Sequence, residues 1–145
     1  MRKKYLIGVL AVFVIIQFIR PTWNKSKNIT QNDIMIRYRV SDEIQGILRQ
    51  SCFDCHSNNT RYPWYAQVQP VGWWLQNHVN DGKRHLNFSE FGSYPEKKAK
   101  KKFEEIVDEV GEGEMPLGSY LRLHAEAKLA PEQAKALTDW AGALK

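Results

Sequence analysis

Cysteine is scarce in this chain of 145 residues: there are two, Cys52 and Cys55, three positions apart. A structural zinc site wants four ligands, often as two such pairs, and no second pair exists. A disulfide across so short a loop would be strained. Acidic residues are absent from positions 1–27, where six basic ones fall (Arg2, Lys3, Lys4, Arg20, Lys25 and Lys27). The formal charge of +5 therefore belongs to the N-terminal stretch, because the other fifteen basic residues face 16 acidic ones. That distribution argues against a nucleic-acid surface. The chain also has no internal repeat and no phosphate-binding glycine motif.

Long apolar runs are missing but for one. Tyr5 to Ile19 is broken in polarity only by Gln17, follows Met1-Arg2-Lys3-Lys4 and precedes Arg20-Pro21. Its length lies between a signal-peptide hydrophobic region and a full transmembrane helix. No small-residue cleavage site of the Ala-x-Ala kind follows Ile19. The reading is an uncleaved signal anchor over residues 1–21, in preference to a removed leader or a buried core helix. Residues 22–40, polar and then briefly alternating from Ile34 to Val40, read as a tether, and residues 41–145 as one domain.

What the chain does contain is Cys52-Phe53-Asp54-Cys55-His56, the covalent attachment pattern of a c-type haem. Thioethers to the two haem vinyl groups require thiols one helical turn apart on one face, and a separation of three residues provides that. His56 then falls under the iron at very high effective concentration, as proximal ligand. A thioredoxin-like pair would follow a strand, whereas the run before Cys52 reads as helix. Bacteria attach such haems outside the cytoplasmic membrane. The expected placement is thus the inner membrane, with the domain facing the periplasm.

Ser41 is a good N-cap, with Asp42 and Glu43 in the first turn. Ile44, Ile47, Leu48, Ser51, Cys52 and Cys55 follow on one face, so this helix runs into the haem motif. Residues 57–94 are dense in aromatics, among them Tyr62, Trp64 and Trp73, as a haem pocket or an ordinary core would require. Pro70 can start a second helix carrying Trp73 and His78. It is also a candidate for the proline loop whose carbonyl accepts the proximal histidine's other ring proton. Pro95 to Gly111 reads as a third helix, lysine-rich first and acidic later, against the macrodipole. Its lysines read as a solvated face, with a docking patch for an acidic partner as the functional alternative. Met115 lies in a glycine-rich loop and is held out of helical geometry by Pro116, free to reach a sixth iron position. A last helix starts near Pro131.

This order resembles class I cytochromes c. More closely it resembles the bacterial family of small haem-binding domain proteins with one attachment motif. The match is carried by Cys52 to Asn59, Arg61-Tyr62-Pro63-Trp64-Tyr65, Pro70 to Trp74, His78 to Phe91 and Gly113-Glu114-Met115-Pro116. The resemblance implies an all-α, cytochrome c-like domain after the anchor helix and one covalently attached haem c on Cys52 and Cys55. Iron would be held by His56 and by Met115, or by His78 in its place. Arg61, Tyr62, Trp64, Pro70 and Trp73 would line the pocket. The implied role is one-electron transfer to redox partner proteins at the membrane, without catalysis and without nucleic acid. The alternative is a haem sensor or haem enzyme with an open sixth position, in which His78, His85 or His124 takes part.

Overall fold

The computed structural model describes residues 2–26 and 28–145. Among them the architecture is all helical, with one isolated antiparallel bridge, Lys25 to Asn59, as the only β pairing. In chain order the helices are α1 (Arg2–Ile16), α2 (Ile34–Arg37), α3 (Asp42–Ser51), α4 (Phe53–His56), α5 (Val71–His85), α6 (Glu96–Gly111), α7 (Gly118–Leu121) and α8 (Pro131–Gly142). Short 3₁₀ turns join them.

Helix α1 overturns the anchor reading. Its 15 residues, at 1.5 Å of rise each, span about 22 Å, short of a hydrocarbon core of about 30 Å. No helix among the described residues is long and apolar enough to cross a membrane. The anchor helix expected over residues 1–21, and the single-pass inner-membrane placement facing the periplasm that depended on it, are therefore not supported. The polar break that the sequence treated as minor is where the helix stops. The Gln17 amide donates to the Phe13 and Gln69 carbonyls, and its oxygen accepts from the Gln69 N–H at 2.8 Å. Arg20 then donates to the Gln67 carbonyl, and the Trp73 indole donates to Ile19 O at 2.8 Å.

The next residues lie alongside 57–62: Ser26 N–H donates to Asn58 O at 2.7 Å and Thr60 N–H to Asn24 O at 2.9 Å. Ile34 to Val40, read as the alternating end of a tether, instead begins with the single turn α2. The Asp33 carboxylate caps it by accepting from Met35 N–H at 2.9 Å, and Ile34 is fully buried. The Ser41 cap of α3 forms as the sequence suggests, its hydroxyl accepting from Ile44 N–H at 3.4 Å. Ile44, Ile47, Leu48 and Ser51 turn inward.

The core is built by α3, α6 and α8. Phe103 of α6 is its centre, with ring centroids 4.8 Å from Phe91, 5.2 Å from Tyr38 and 5.6 Å from Trp140. Charges on α6 pair along the helix, Glu96 with Lys100 at 3.8 Å and Glu105 with Lys101 and Lys102, and Glu105 and Glu109 also border the main cavity described below. The exposed Glu96–Lys100 pair stabilises by well under about 1 kcal/mol. Phe103 is 1% exposed. Phe103→Ala is expected to cost about 3–5 kcal/mol, read as a lower urea midpoint at unchanged slope. A loss under about 1 kcal/mol would mean that the aromatic cluster is not the core.

Candidate functional site

Helices α3 to α6 and the loop after α6 enclose a cavity of about 390 Å³ with mostly apolar walls. That is within the range of about 300–1,000 Å³ usual for small-molecule and cofactor sites. Cys52, Cys55, His56, Met115 and His78 all line it. The fold thus gathers residues that stand up to 63 positions apart in the sequence onto one cavity.

The Cys52–His56 turn is shaped from two sides. Helix α3 ends at Ser51, Cys52 leaves helical geometry at φ −123, and the His56 N–H closes the next turn on Cys52 O at 3.0 Å. On one side stands Asp54, 8% exposed. Its carboxylate accepts from the Arg61 backbone N–H and Nε, both at 3.1 Å, from Arg61 Nη2 at 3.2 Å and from the Tyr120 hydroxyl at 2.8 Å. Four donors offset the cost of burying it. Phe53 stacks on Phe88 at 5.4 Å. Both cysteines are free thiols. Burial pushes Cys52 up to about 12 and Cys55 up to about 11, with the neighbouring Asp54 charge adding to the latter. They rest as neutral thiols, unlike the thiolates of a metal or disulfide-exchange centre.

On the other side stands α5. His56 Nδ1–H donates to Gly82 O at 3.0 Å and Leu86 O at 3.1 Å. Burial holds the imidazole below its ordinary pKa, and these two bonds offset part of that effect. The neutral ring then carries its free lone pair on Nε2. The approach is close. A Cβ on Gly82 would stand 2.7 Å from Cys55 O, so only glycine fits there.

The loop carrying Met115 is tied down, although three glycines suggested mobility. Gly113 takes φ +77, and the N–H groups of Glu114 and Met115 both donate to Glu109 O, at 2.9 and 3.1 Å. His78 donates from Nδ1 to Trp74 O at 3.1 Å and lies against the Trp74 ring. His85 reaches the cavity from the exposed end of α5. His124 lies instead on a side chamber of about 100 Å³, which shares Cys55, His78 and Leu117 with the main cavity. There it bonds Tyr65 OH at 2.8 Å and Glu126 at 3.2 Å.

Five residues expected in the pocket are not on the main cavity wall. Pro70 caps the far end of α5, twelve residues or about 18 Å of helix from Gly82. The carbonyls sought at Pro70 belong to Gly82 and Leu86. Arg61 lies on the outer side of the Cys52–His56 turn with Asp54. Tyr62 packs edge-on against Trp23 at 4.1 Å, Trp64 is 80% exposed, and Trp73 faces Ile19. Sequence reasoning missed Gly82 and Leu86. A glycine inside a helical pattern was the available signal for the first; nothing local marks the second.

A family model described as haem-binding domain matches residues 11–143. No curated protein and no solved structure matches.

Gly82→Ala tests the contact on which this site rests. The added methyl has to push α5 away from Cys55, so a loss of about 1–3 kcal/mol is expected, read by urea denaturation. Gly46→Ala, where a Cβ meets nothing within 4 Å, is the control and should be neutral or slightly stabilising. Equal effects of the two would show that α5 does not touch the turn.

Proposed function

This chain belongs to the haem-binding domain family, and we propose that it holds one haem covalently, as a c-type protein that passes single electrons. The observation that carries this reading is that Cys52, Cys55, His56 and Met115 line one cavity. The residues suit the group: mostly apolar walls for a large planar ring, two thiols three residues apart, and a neutral imidazole whose Nδ1 is already used.

Bound haem supplies a one-electron iron couple. Cys52 and Cys55 would hold it, their thiols adding across its vinyl groups with no leaving group, so that the chain would gain the whole haem mass. His56 offers Nε2 to the iron. Donation from Nδ1–H to the Gly82 and Leu86 carbonyls fixes the ring and raises its basicity. Met115 offers its thioether from the loop after α6. His56 and Met115 together would hold the iron with nitrogen and thioether donors, a pair that raises the reduction potential and would suit transfer to a partner redox protein without bond chemistry. This role requires no catalytic residue. His78 supports a second reading, since it lines the same cavity with Nδ1 engaged and Nε2 free. As the sixth ligand it would give bis-histidine iron of lower potential.

Acid-acetone extraction followed by intact mass decides attachment. Haem should stay with the protein, and an apo mass with extracted haem would overturn the covalent claim. Met115→Ala should abolish the weak far-red sulfur-to-iron charge-transfer band and lower the reduction potential, while His78→Ala leaves the band in place. The reverse pattern would assign the sixth position to His78.

A further inference from the structure

We propose that the face of α5 turned away from the haem cavity forms a second site, for a small oxyanion, a carboxylate or phosphate ester, carried on a sugar-sized carbon skeleton. This does not rest on the haem reading, because the two cavities share no lining residue. The site is an open groove of about 490 Å³ between the extended residues 21–24 and α5. From α5 it takes Trp73, Gln76, Asn77, Asn80 and Lys83, a stripe at helical spacing that the haem site does not use. No carboxylate lines it.

Selectivity follows from the direction of its hydrogen bonds. The backbone N–H of Asn24 donates to the Tyr62 oxygen at 2.9 Å, a direction that cannot be reversed. Tyr62 then donates its own hydrogen to Gln76 Oε1 at 2.5 Å, and Gln76 Nε2 donates to Asn80 Oδ1 at 3.0 Å. Each amide oxygen in this chain already accepts one bond, and the chain ends on Asn80 Nδ2, whose two hydrogens are both spare among the described residues. Lys83 adds the charge. Its ammonium bonds Asn24 Oδ1 at 2.6 Å, and it forms no ion pair among the described residues. Two of its three hydrogens remain for a ligand. The groove thus offers spare donors and one cation, the complement of an oxyanion.

Two indoles supply the apolar part. Trp73 is fixed by its bond to Ile19 O and Trp23 by its edge contact with Tyr62, and both line the groove. Aromatic surfaces held in place take up the carbon skeleton at little entropic cost.

The test is calorimetric titration of the full-length haem-loaded protein with glucuronate, glucose 6-phosphate and neutral glucose. At least one anion should bind about tenfold or more tightly than glucose, the gain expected of a charge-assisted bond, and the tighter anion identifies the oxyanion. Lys83→Gln keeps a donor for Asn24, and Asn80→Asp keeps the acceptor for Gln76 while turning the outward donor into an acceptor. Both should lose about tenfold or more in anion affinity, with the haem absorption spectrum unchanged. The proposal is overturned if no probe binds at about ten times the millimolar range of weak ligands, if glucose binds as well as the anions, or if both variants bind like the parent. A changed haem spectrum in the variants would also overturn it, by placing these residues in the haem site.

Discussion

The arrangement depends on one backbone contact, the approach of α5 to the carbonyl of Cys55. Only a residue without a side chain allows it, and Gly82 stands there. That proximity brings the last carbonyls of α5 within reach of His56. The end of a helix carries partial negative charge, and a carbonyl there can accept a second donor beside its helix-closing N–H. An imidazole N–H is a suitable donor to such a terminus. Gly82 O accepts both the closing N–H of Leu86, at 2.9 Å, and the ring of His56. One carbonyl thereby ends α5 and orients the His56 imidazole. Which ring nitrogen of His56 is left unbonded is set by a helix end instead of by the local sequence around it.

Asp54 does the complementary work on the outer side of the same turn. A carboxylate so buried persists only with several donors around it, and Arg61 and Tyr120 provide them. Tyr120 belongs to α7, which follows the Met115 loop directly. The Asp54 to Tyr120 bond therefore ties the C-terminal end of that loop to the Cys52–His56 turn, while Glu109 O holds its N-terminal end to α6. Met115 and His56 are positioned by one connected set of bonds, although 59 residues separate them in the chain.

Local signals in the sequence were read well. The Ser41 cap, the helix leading into Cys52, and the start of α8 at Pro131 each depend on a few neighbouring residues, and each appears where those residues put it. The haem-binding family was legible from the attachment motif and the segments after it. The failures are of two kinds. The apolar run was judged by composition, while its helix ends at the polar residue Gln17, which bonds to Gln69. The pocket aromatics were judged by abundance. Bulk of that kind says that a cavity or a core exists, but not on which side of α5 each ring will lie, and Tyr62, Trp64 and Trp73 took other sides. The Pro70 carbonyl failed for the same reason, since the partner of His56 is chosen by how α5 docks.

Helix α5 shows why composition misleads here. Its buried positions are Gly72, Gln76 and Val79, a poor apolar stripe. It is held by close approach at both ends: a Cβ at Gly72 would stand 2.3 Å from Ala66 O, and one at Gly82 would stand 2.7 Å from Cys55 O. Each glycine costs about 1 kcal/mol of helix propensity, and the backbone contacts it permits offset that loss. A helix docked by its ends needs little of its flanks for the core. One flank is therefore free to carry His78 and His85 on the main cavity, and the other to carry Gln76, Asn80 and Lys83 on the groove. The polar character that makes α5 look like a weak core helix leaves it two surfaces for ligands.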